Sequence, residues 1–129
     1  MIQINNVSKS YDGKNNVIDG MNLQINDGEI FGFLGPNGVG KTTTIKMITG
    51  ILNIDKGDIL IDGISITSRP VEAKQKFGFV PDSPDMFLKL KGSEYLNFIA
   101  DIYKVNTENI TKRIKELVTI FDMQNFLES

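Results

Sequence analysis

The sequence predicts an α/β fold with a helical appendage. Three observations lead to this prediction. Apolar residues alternate between turn dipeptides in the first 30 residues, a glycine-rich segment separates an apolar run from a helical pattern, and apolar side chains beyond residue 92 recur every three or four positions. A beginning that mixes strands with a helix is typical of the α/β class.

Two antiparallel strands are predicted first. Apolar residues alternate with polar ones over residues 2–7 and again over residues 21–25, and the dipeptides Asp12-Gly13 and Asp27-Gly28 favour turns. Residues 30–34 follow and are apolar on both faces, which predicts a strand buried in a parallel sheet. A helix should come next and end near Gly50, because Ile45, Ile48 and Leu52 recur at helical spacing.

The clearest hairpin signal lies at residues 59–66. The apolar runs 59–61 and 64–66 are separated by Asp62-Gly63, a dipeptide that adopts the positive φ angles of a two-residue turn. A short polar helical segment and then a second core strand, Phe77–Val80, are predicted before Pro81.

Two amphipathic helices of about four turns each are predicted after residue 92. Apolar residues repeat at helical spacing over 95–103, behind Gly92-Ser93 as the expected cap, and over 110–121, behind Asn106-Thr107. We therefore expect a β and loop portion over 1–81, a connection over 82–92 and a helical portion over 93–129.

Composition excludes several classes of function. The net charge is −2, so we expect no nucleic-acid partner. The chain has no cysteine and no histidine, which excludes disulfides, thiolate metal sites and histidine-based catalysis. The sequence shows neither a signal peptide nor an apolar run long enough to span a bilayer, and the expected compartment is the cytoplasm.

One segment fits the pattern G-x-x-x-x-G-K-[ST] of the phosphate-binding P-loop: Gly35, Pro36, Asn37, Gly38, Val39, Gly40, Lys41 and Thr42. Glycines let successive backbone N–H groups point at phosphate oxygens, and the following helix adds its positive N-terminal end. Lys41 is expected to reach the β- and γ-phosphates, and the Thr42 hydroxyl to bind Mg²⁺. A plain glycine-rich turn would leave the lysine and the three consecutive threonines unexplained.

Residues 28–50 closely resemble the Walker A region of the ATP-binding cassette ATPases, the motor subunits of ABC transporters. Lys9-Ser10-Tyr11 resembles the aromatic loop of that family, residues 57–63 its following hairpin, and residues 90–103 the first helix of its helical subdomain. The resemblance implies a P-loop NTPase core with an antiparallel β portion and the start of a helical subdomain. It also implies an ATPase that uses ATP and Mg²⁺, and makes Lys41 a catalytic residue.

The resemblance assigns further site residues by position. Tyr11 would stack on adenine, Val17 would lie near the same ring, and Thr43 would lie near the α-phosphate. An ordinary tyrosine at the end of a strand is the other interpretation of Tyr11.

Asp82 stands where the family usually has a glutamine that contacts Mg²⁺ and the attacking water. Because a carboxylate accepts hydrogen bonds and cannot donate an amide N–H, we expect Asp82 to hold a metal-bound water as a variant of that catalytic and metal-binding residue. An aspartate in a surface turn is the alternative. The apolar side chains of residues 83–88 would either face a transmembrane partner or be buried against the helical portion.

The family's signature segment, Walker B aspartate, catalytic glutamate and switch histidine are not found, and we expect them past residue 129. The leading hypothesis is the N-terminal portion of an ABC transporter ATP-binding subunit. Its expected partners are a transmembrane subunit, at the cytoplasmic face of the membrane, and a second ATPase subunit in a head-to-tail dimer. These 129 residues alone are expected to bind nucleotide without efficient hydrolysis.

Two alternatives remain open, a non-catalytic nucleotide-binding or interaction module and a translation-associated cassette ATPase. A P-loop GTPase is disfavoured, because no Asn-Lys-x-Asp segment is present.

Overall fold

The computed structural model describes residues 1–82 and 90–127, in two compact units that divide between residues 79 and 80. The first, unit 1, contains four strands and two helices: β1 (Ile2–Ser10), β2 (Asn16–Ile25), α1 (Lys41–Ile48), β3 (Lys56–Ile61), β4 (Ile64–Ser65) and α2 (Pro70–Lys74). The second, unit 2, contains α3 (Gly92–Ile102), α4 (Thr107–Ile120) and a 3-10 helix over Gln124–Phe126.

The four strands form one antiparallel sheet in the order β2-β1-β3-β4. Strand β1 pairs on both sides, with Ile4 opposite Leu23 of β2 and Ile59 of β3. The predicted antiparallel beginning is confirmed. Strand β1 pairs with β3 as far as Ser8 and with β2 as far as Ser10, and register shifts interrupt both pairings after Ile4.

The β3–β4 hairpin is also confirmed. Asp62 has φ 50° and Gly63 has φ 76°, the two positive angles that a type I′ turn requires. Leu60 pairs with Ser65 across the hairpin.

The core of unit 1 lies between the sheet and the two helices. Its buried apolar residues are Ile4, Val7, Ile18, Met47, Ile59, Ile61 and Ala73. Helix α1 contributes Met47 and α2 contributes Ala73, so both helices are packed onto the sheet through this cluster. This packing fixes the N-terminal end of α1 relative to β2.

The strand predicted in a parallel sheet over residues 30–34 and the core strand predicted over residues 77–80 are both wrong. Residues 30–34 and 77–80 have no strand conformation, and Ile30, Leu34 and Val80 expose more than nine-tenths of their surface. A strand needs a hydrogen-bonding neighbour, and among the described residues neither segment pairs with another strand.

Unit 2 contains the two predicted helices. Helix α4 begins where expected, because Asn106 caps it by accepting the Glu108 backbone N–H at 3.0 Å. Helix α3 begins at Gly92 with Lys91 as its N-cap, one residue earlier than the expected cap. The two helices contact each other, and the Ser93 N–H donates to the Leu127 carbonyl at 3.0 Å.

No helix within residues 1–82 and 90–127 is both long enough and apolar enough to cross a bilayer.

Candidate functional site

Gly40 joins the P-loop to α1 and lies against β2. Its φ of 98° is one that side-chain-bearing residues rarely adopt. A Cβ atom at this position would lie 2.5 Å from Ile18 Cδ1 and 3.4 Å from the Val17 carbonyl oxygen. The backbone angle therefore favours glycine here, and a Cβ atom would also force the Ile18 side chain to move.

The Lys41 side chain lies across the loop that precedes it. Its ammonium group donates to the carbonyl oxygens of Gly35 and Pro36, the latter at 2.6 Å. The six residues from Gly35 to Gly40 thus curve around the ammonium group, and positive φ angles at Gly38 (83°) and Gly40 (98°) allow this curvature. The structure brings the P-loop glycines and the lysine together, as the motif predicts.

The first turn of α1 presents backbone N–H groups at this loop. In the part of unit 1 that the structure describes, no side chain caps the helix at Gly40. The hydroxyl of Thr44 is turned inward and donates to the Gly40 carbonyl at 2.9 Å, whereas Thr42 is exposed. Uncapped N–H groups at a helix N-terminus, together with an adjacent ammonium group, suit an anion such as a phosphate chain.

Tyr11 lies next to the start of α1. Its hydroxyl is 3.1 Å from Thr43 Oγ1, in a hydrogen bond that either oxygen can donate. Tyr11 is 64% exposed, so most of its ring is available to a ligand. Val17 is exposed on β2, beside Gly40. The structure therefore brings together Tyr11, Val17, Thr43 and the end of the P-loop.

From the sequence, Asp12 was predicted only to be part of a turn. Its carboxylate accepts hydrogen bonds from the backbone N–H groups of Asn15 (2.7 Å) and Lys14 (2.8 Å), from the Asn15 side-chain amide (3.0 Å) and from the Ser10 hydroxyl (3.0 Å). These donors, with Asn15 N–H first, hold the pKa of Asp12 far below its usual value. The signal for this role was available, since aspartate readily accepts an N–H two residues onward.

Asp82 belongs to unit 2 and is exposed. Its proposed contact with a metal-bound water stays a prediction. The expected partner-facing segment, residues 83–88, lies outside the described residues.

The donor set suits Mg²⁺ delivered with a nucleotide better than a resident metal ion. Within the described ranges no three acidic residues form a cluster that could hold an ion. The exposed Thr42 offers one hydroxyl oxygen at the start of α1. Magnesium bound with a nucleotide takes further ligands from phosphate oxygens and water, and the Thr42 hydroxyl is the protein oxygen that the P-loop motif assigns to it.

The family model described as "ABC transporter" matches residues 18–129. Among curated proteins, the chain is 38% identical over 122 residues to the uncharacterized ABC transporter ATP-binding protein YhcH of Bacillus subtilis, covering 95% of this chain and 40% of that protein. It is 35% identical over 127 residues to the lipopolysaccharide export system ATP-binding protein LptB of Escherichia coli, covering 96% of this chain and 52% of LptB.

Solved structures give the same result. One described as an ATP-binding subunit of an ABC transporter superimposes with a TM-score of 0.92 at 27% identity, covering 100% of this chain and 53% of that chain. CbiO1 of Clostridium perfringens, part of the ABC transporter complex CbiONQ, superimposes with a TM-score of 0.79 at 26% identity over 99% of this chain and 53% of that one.

The chain thus spans about half the length of the solved structures it matches, and 40% and 52% of the two curated relatives. The family match covers the P-loop, α1 and all of unit 2. The chain belongs to the ABC transporter family, among its ATP-binding subunits.

Proposed function

We propose that this chain binds MgATP at the P-loop, and that the protein couples ATP binding and hydrolysis to transport across a membrane. The observation that carries the proposal is the junction at Gly40. There the loop carbonyls of Gly35 and Pro36 accept hydrogen bonds from the Lys41 ammonium group, and α1 begins without a side-chain cap. Family membership supports ATP as the nucleotide.

Each site residue has one chemical role in this proposal. Lys41 moves from the loop carbonyls to the β- and γ-phosphates and stabilises the charge that develops on the transferred phosphoryl group. Thr42 supplies an oxygen to Mg²⁺, and Thr43 lies near the α-phosphate. Tyr11 stacks on adenine with Val17 beside it.

Binding of ATP to the purified chain tests the proposal. Lys41→Gln removes the ammonium group and should weaken MgATP binding by about 10- to 150-fold, the range expected for one hydrogen bond to a charged group. Lys46→Gln is the matched control, because Lys46 is an exposed lysine on the same helix but outside the loop. Isothermal titration with ATP and Mg²⁺ measures both variants. Equal affinities for the wild type and Lys41→Gln would contradict the proposed site.

We further propose that the 129-residue chain binds nucleotide without efficient hydrolysis. The resemblance places the Walker B aspartate, the catalytic glutamate and the switch histidine past residue 129, so Lys41 would act without them. Phosphate release measured on the titrated sample should show no steady turnover. Turnover that Lys41→Gln abolishes would overturn this proposal.

The proposed partners are a transmembrane subunit and a second ATP-binding subunit, which would place the protein at the cytoplasmic face of a membrane. The names of two similar proteins support this setting, since one describes an export system and the other a transporter complex. Co-purification of the native protein with a membrane subunit tests it.

A further inference from the structure

We infer that Asp12 is a positioning residue for the base of the nucleotide: its carboxylate fixes the loop of residues 11–15 and so holds Tyr11 beside the start of α1. We call this segment the base loop. The inference rests on the proposed function, because Tyr11 matters only if a nucleotide binds at the P-loop.

The first step is the closure of the base loop around one carboxylate. The loop leaves β1 after Ser10 and enters β2 at Asn16, and these two residues are paired across the strands. Within it, Asp12 accepts four hydrogen bonds, one from Ser10 before it and three from Lys14 and Asn15 after it. One side chain therefore connects both ends of the loop.

The second step is that packing does little to hold Tyr11. Its side chain is 64% exposed, and the contact that the structure gives it is the hydrogen bond of its hydroxyl to Thr43. Thr43 itself is only 9% exposed and belongs to α1, so it is a fixed partner. The position of the ring is consequently set by the backbone of the base loop at one end and by Thr43 at the other.

The third step is that the contacts of Asp12 are separate from those of the proposed phosphate-binding loop. Asp12 makes its hydrogen bonds within residues 10–15, whereas Lys41 and Gly40 form the phosphate-facing loop with Gly35 and Pro36. Loss of the Asp12 carboxylate should free Tyr11 without disturbing the P-loop. Affinity for the base should fall, and affinity for a phosphate chain should stay unchanged.

The test compares two ligands and two substitutions in the full chain, by isothermal titration in the presence of Mg²⁺. The ligands are ATP and inorganic tripolyphosphate, which lacks the base. Tyr11→Ala should weaken ATP binding by roughly 5- to 150-fold, the range for a base stacked on an exposed aromatic side chain. Asp12→Ala should weaken ATP binding by at least about threefold and by no more than Tyr11→Ala, and should change tripolyphosphate binding by less than about twofold.

The double variant Tyr11→Ala/Asp12→Ala distinguishes a positioning role of Asp12 from a merely structural one. If Asp12 acts through Tyr11, Asp12→Ala adds less than about a twofold loss once Tyr11 is alanine, because the two effects are not independent. Asp19→Ala is the control for charge, since Asp19 is an exposed carboxylate on β2 that accepts one hydrogen bond, from the Asn16 amide. It should leave both affinities unchanged.

Asn15→Ala is the milder second variant, for use if Asp12→Ala fails to fold. It removes the side-chain hydrogen bond to Asp12 and keeps the backbone N–H. It should weaken ATP binding in the same direction and by less.

Three results overturn the inference: ATP affinity unchanged in Asp12→Ala and Asn15→Ala, equal loss for ATP and tripolyphosphate, or multiplicative losses in the double variant. In each of these cases the wild type still binds ATP through Lys41. A wild-type chain that binds neither ligand overturns the proposed function as well, so the two failures are distinguished.

Discussion

At the residue scale, Gly40 combines a close packing contact with a place in the P-loop motif. Its missing side chain lets β2 approach to within a distance that excludes a methyl group, and its positive φ starts α1. The motif predicts a glycine here for the sake of the phosphate. The structure adds a second reason, the Ile18 side chain in the core.

Gly40→Ala should lower the free energy of unfolding by more than Gly13→Ala does. Both positions have positive φ, 98° and 70°, but nothing lies within 4 Å of a Cβ at Gly13. The two substitutions share the backbone cost of about 1 kcal/mol, and Gly40→Ala adds about 1–3 kcal/mol for overpacking against Ile18. Urea denaturation of the two variants measures the difference. Equal losses would mean that Ile18 moves aside freely.

Asp55 gives a prediction on pH. The Lys9 ammonium group at 2.7 Å and the Ser10 N–H at 2.8 Å hold the pKa of the Asp55 carboxyl below its usual value of 3.8. A lowered pKa in the folded state means that the stabilisation is present above the unfolded pKa and is lost as the pH falls below it. Between pH 6 and pH 3 the wild type should therefore lose more stability than Asp55→Asn.

Urea denaturation at several pH values in this interval measures the slopes of stability against pH. Lys9→Met should reduce the slope in the same direction as Asp55→Asn, because it removes the ammonium partner. Parallel slopes for all three proteins would contradict the assignment.

At the element scale, the sequence predicted correctly those elements whose turns, caps and apolar spacing lie within their own residues. The β3–β4 hairpin is determined by its own turn, and α4 by its own cap and apolar spacing. Residues 30–34 and 77–80 have strand-like patterns, but a strand depends on a neighbour that local sequence does not reveal. Sequence periodicity reports which face a segment could bury, and it does not report whether a partner is there to bury it.

The same distinction applies to the candidate site. The P-loop residues and Tyr11 were identified from a motif and a resemblance, and the structure brings them together. The contribution of Asp12 was missed, because it depends on where the donors of Lys14 and Asn15 point after the loop has closed. Side-chain roles that arise from a loop conformation are visible only once that conformation is known.

The cap of α4 provides a prediction for a single element. Asn106→Ala removes the acceptor of the Glu108 N–H and should lower the stability of the first turn by about 1 kcal/mol. Hydrogen exchange of the α4 amides measures this loss. Asn106→Asp is the matched variant, since it keeps an acceptor oxygen and should exchange almost as slowly as the wild type.

At the scale of the whole molecule, most of the buried apolar residues in the described ranges lie in the sheet and the two helices of unit 1. The buried cluster of unit 1 includes residues from three strands and both helices, whereas Ile30 (102% exposed) and Leu34 (93%) contribute nothing to it. The apolar content of this chain therefore overstates the size of its core.

Substitutions in the exposed segment of residues 30–34 should hardly change the free energy of unfolding. Ile30→Ala and Leu34→Ala should change the free energy of unfolding by less than about 0.5 kcal/mol. Ile4→Ala, at a residue only 1% exposed, should cost about 2–5 kcal/mol. Urea denaturation compares the three variants. A large loss at Ile30 or Leu34 would show that this segment is covered in solution.

The pairing of β1 on both sides has a consequence for how the family can diversify. The base loop joins β1 to β2 where Ser10 pairs with Asn16, and the Lys9–Asp55 ion pair secures the end of β1 just before it. A loop anchored in this way can be exchanged for one of different length or sequence without shifting the strands. The base loop can thus change in sequence without any change in the P-loop, residues 35–42.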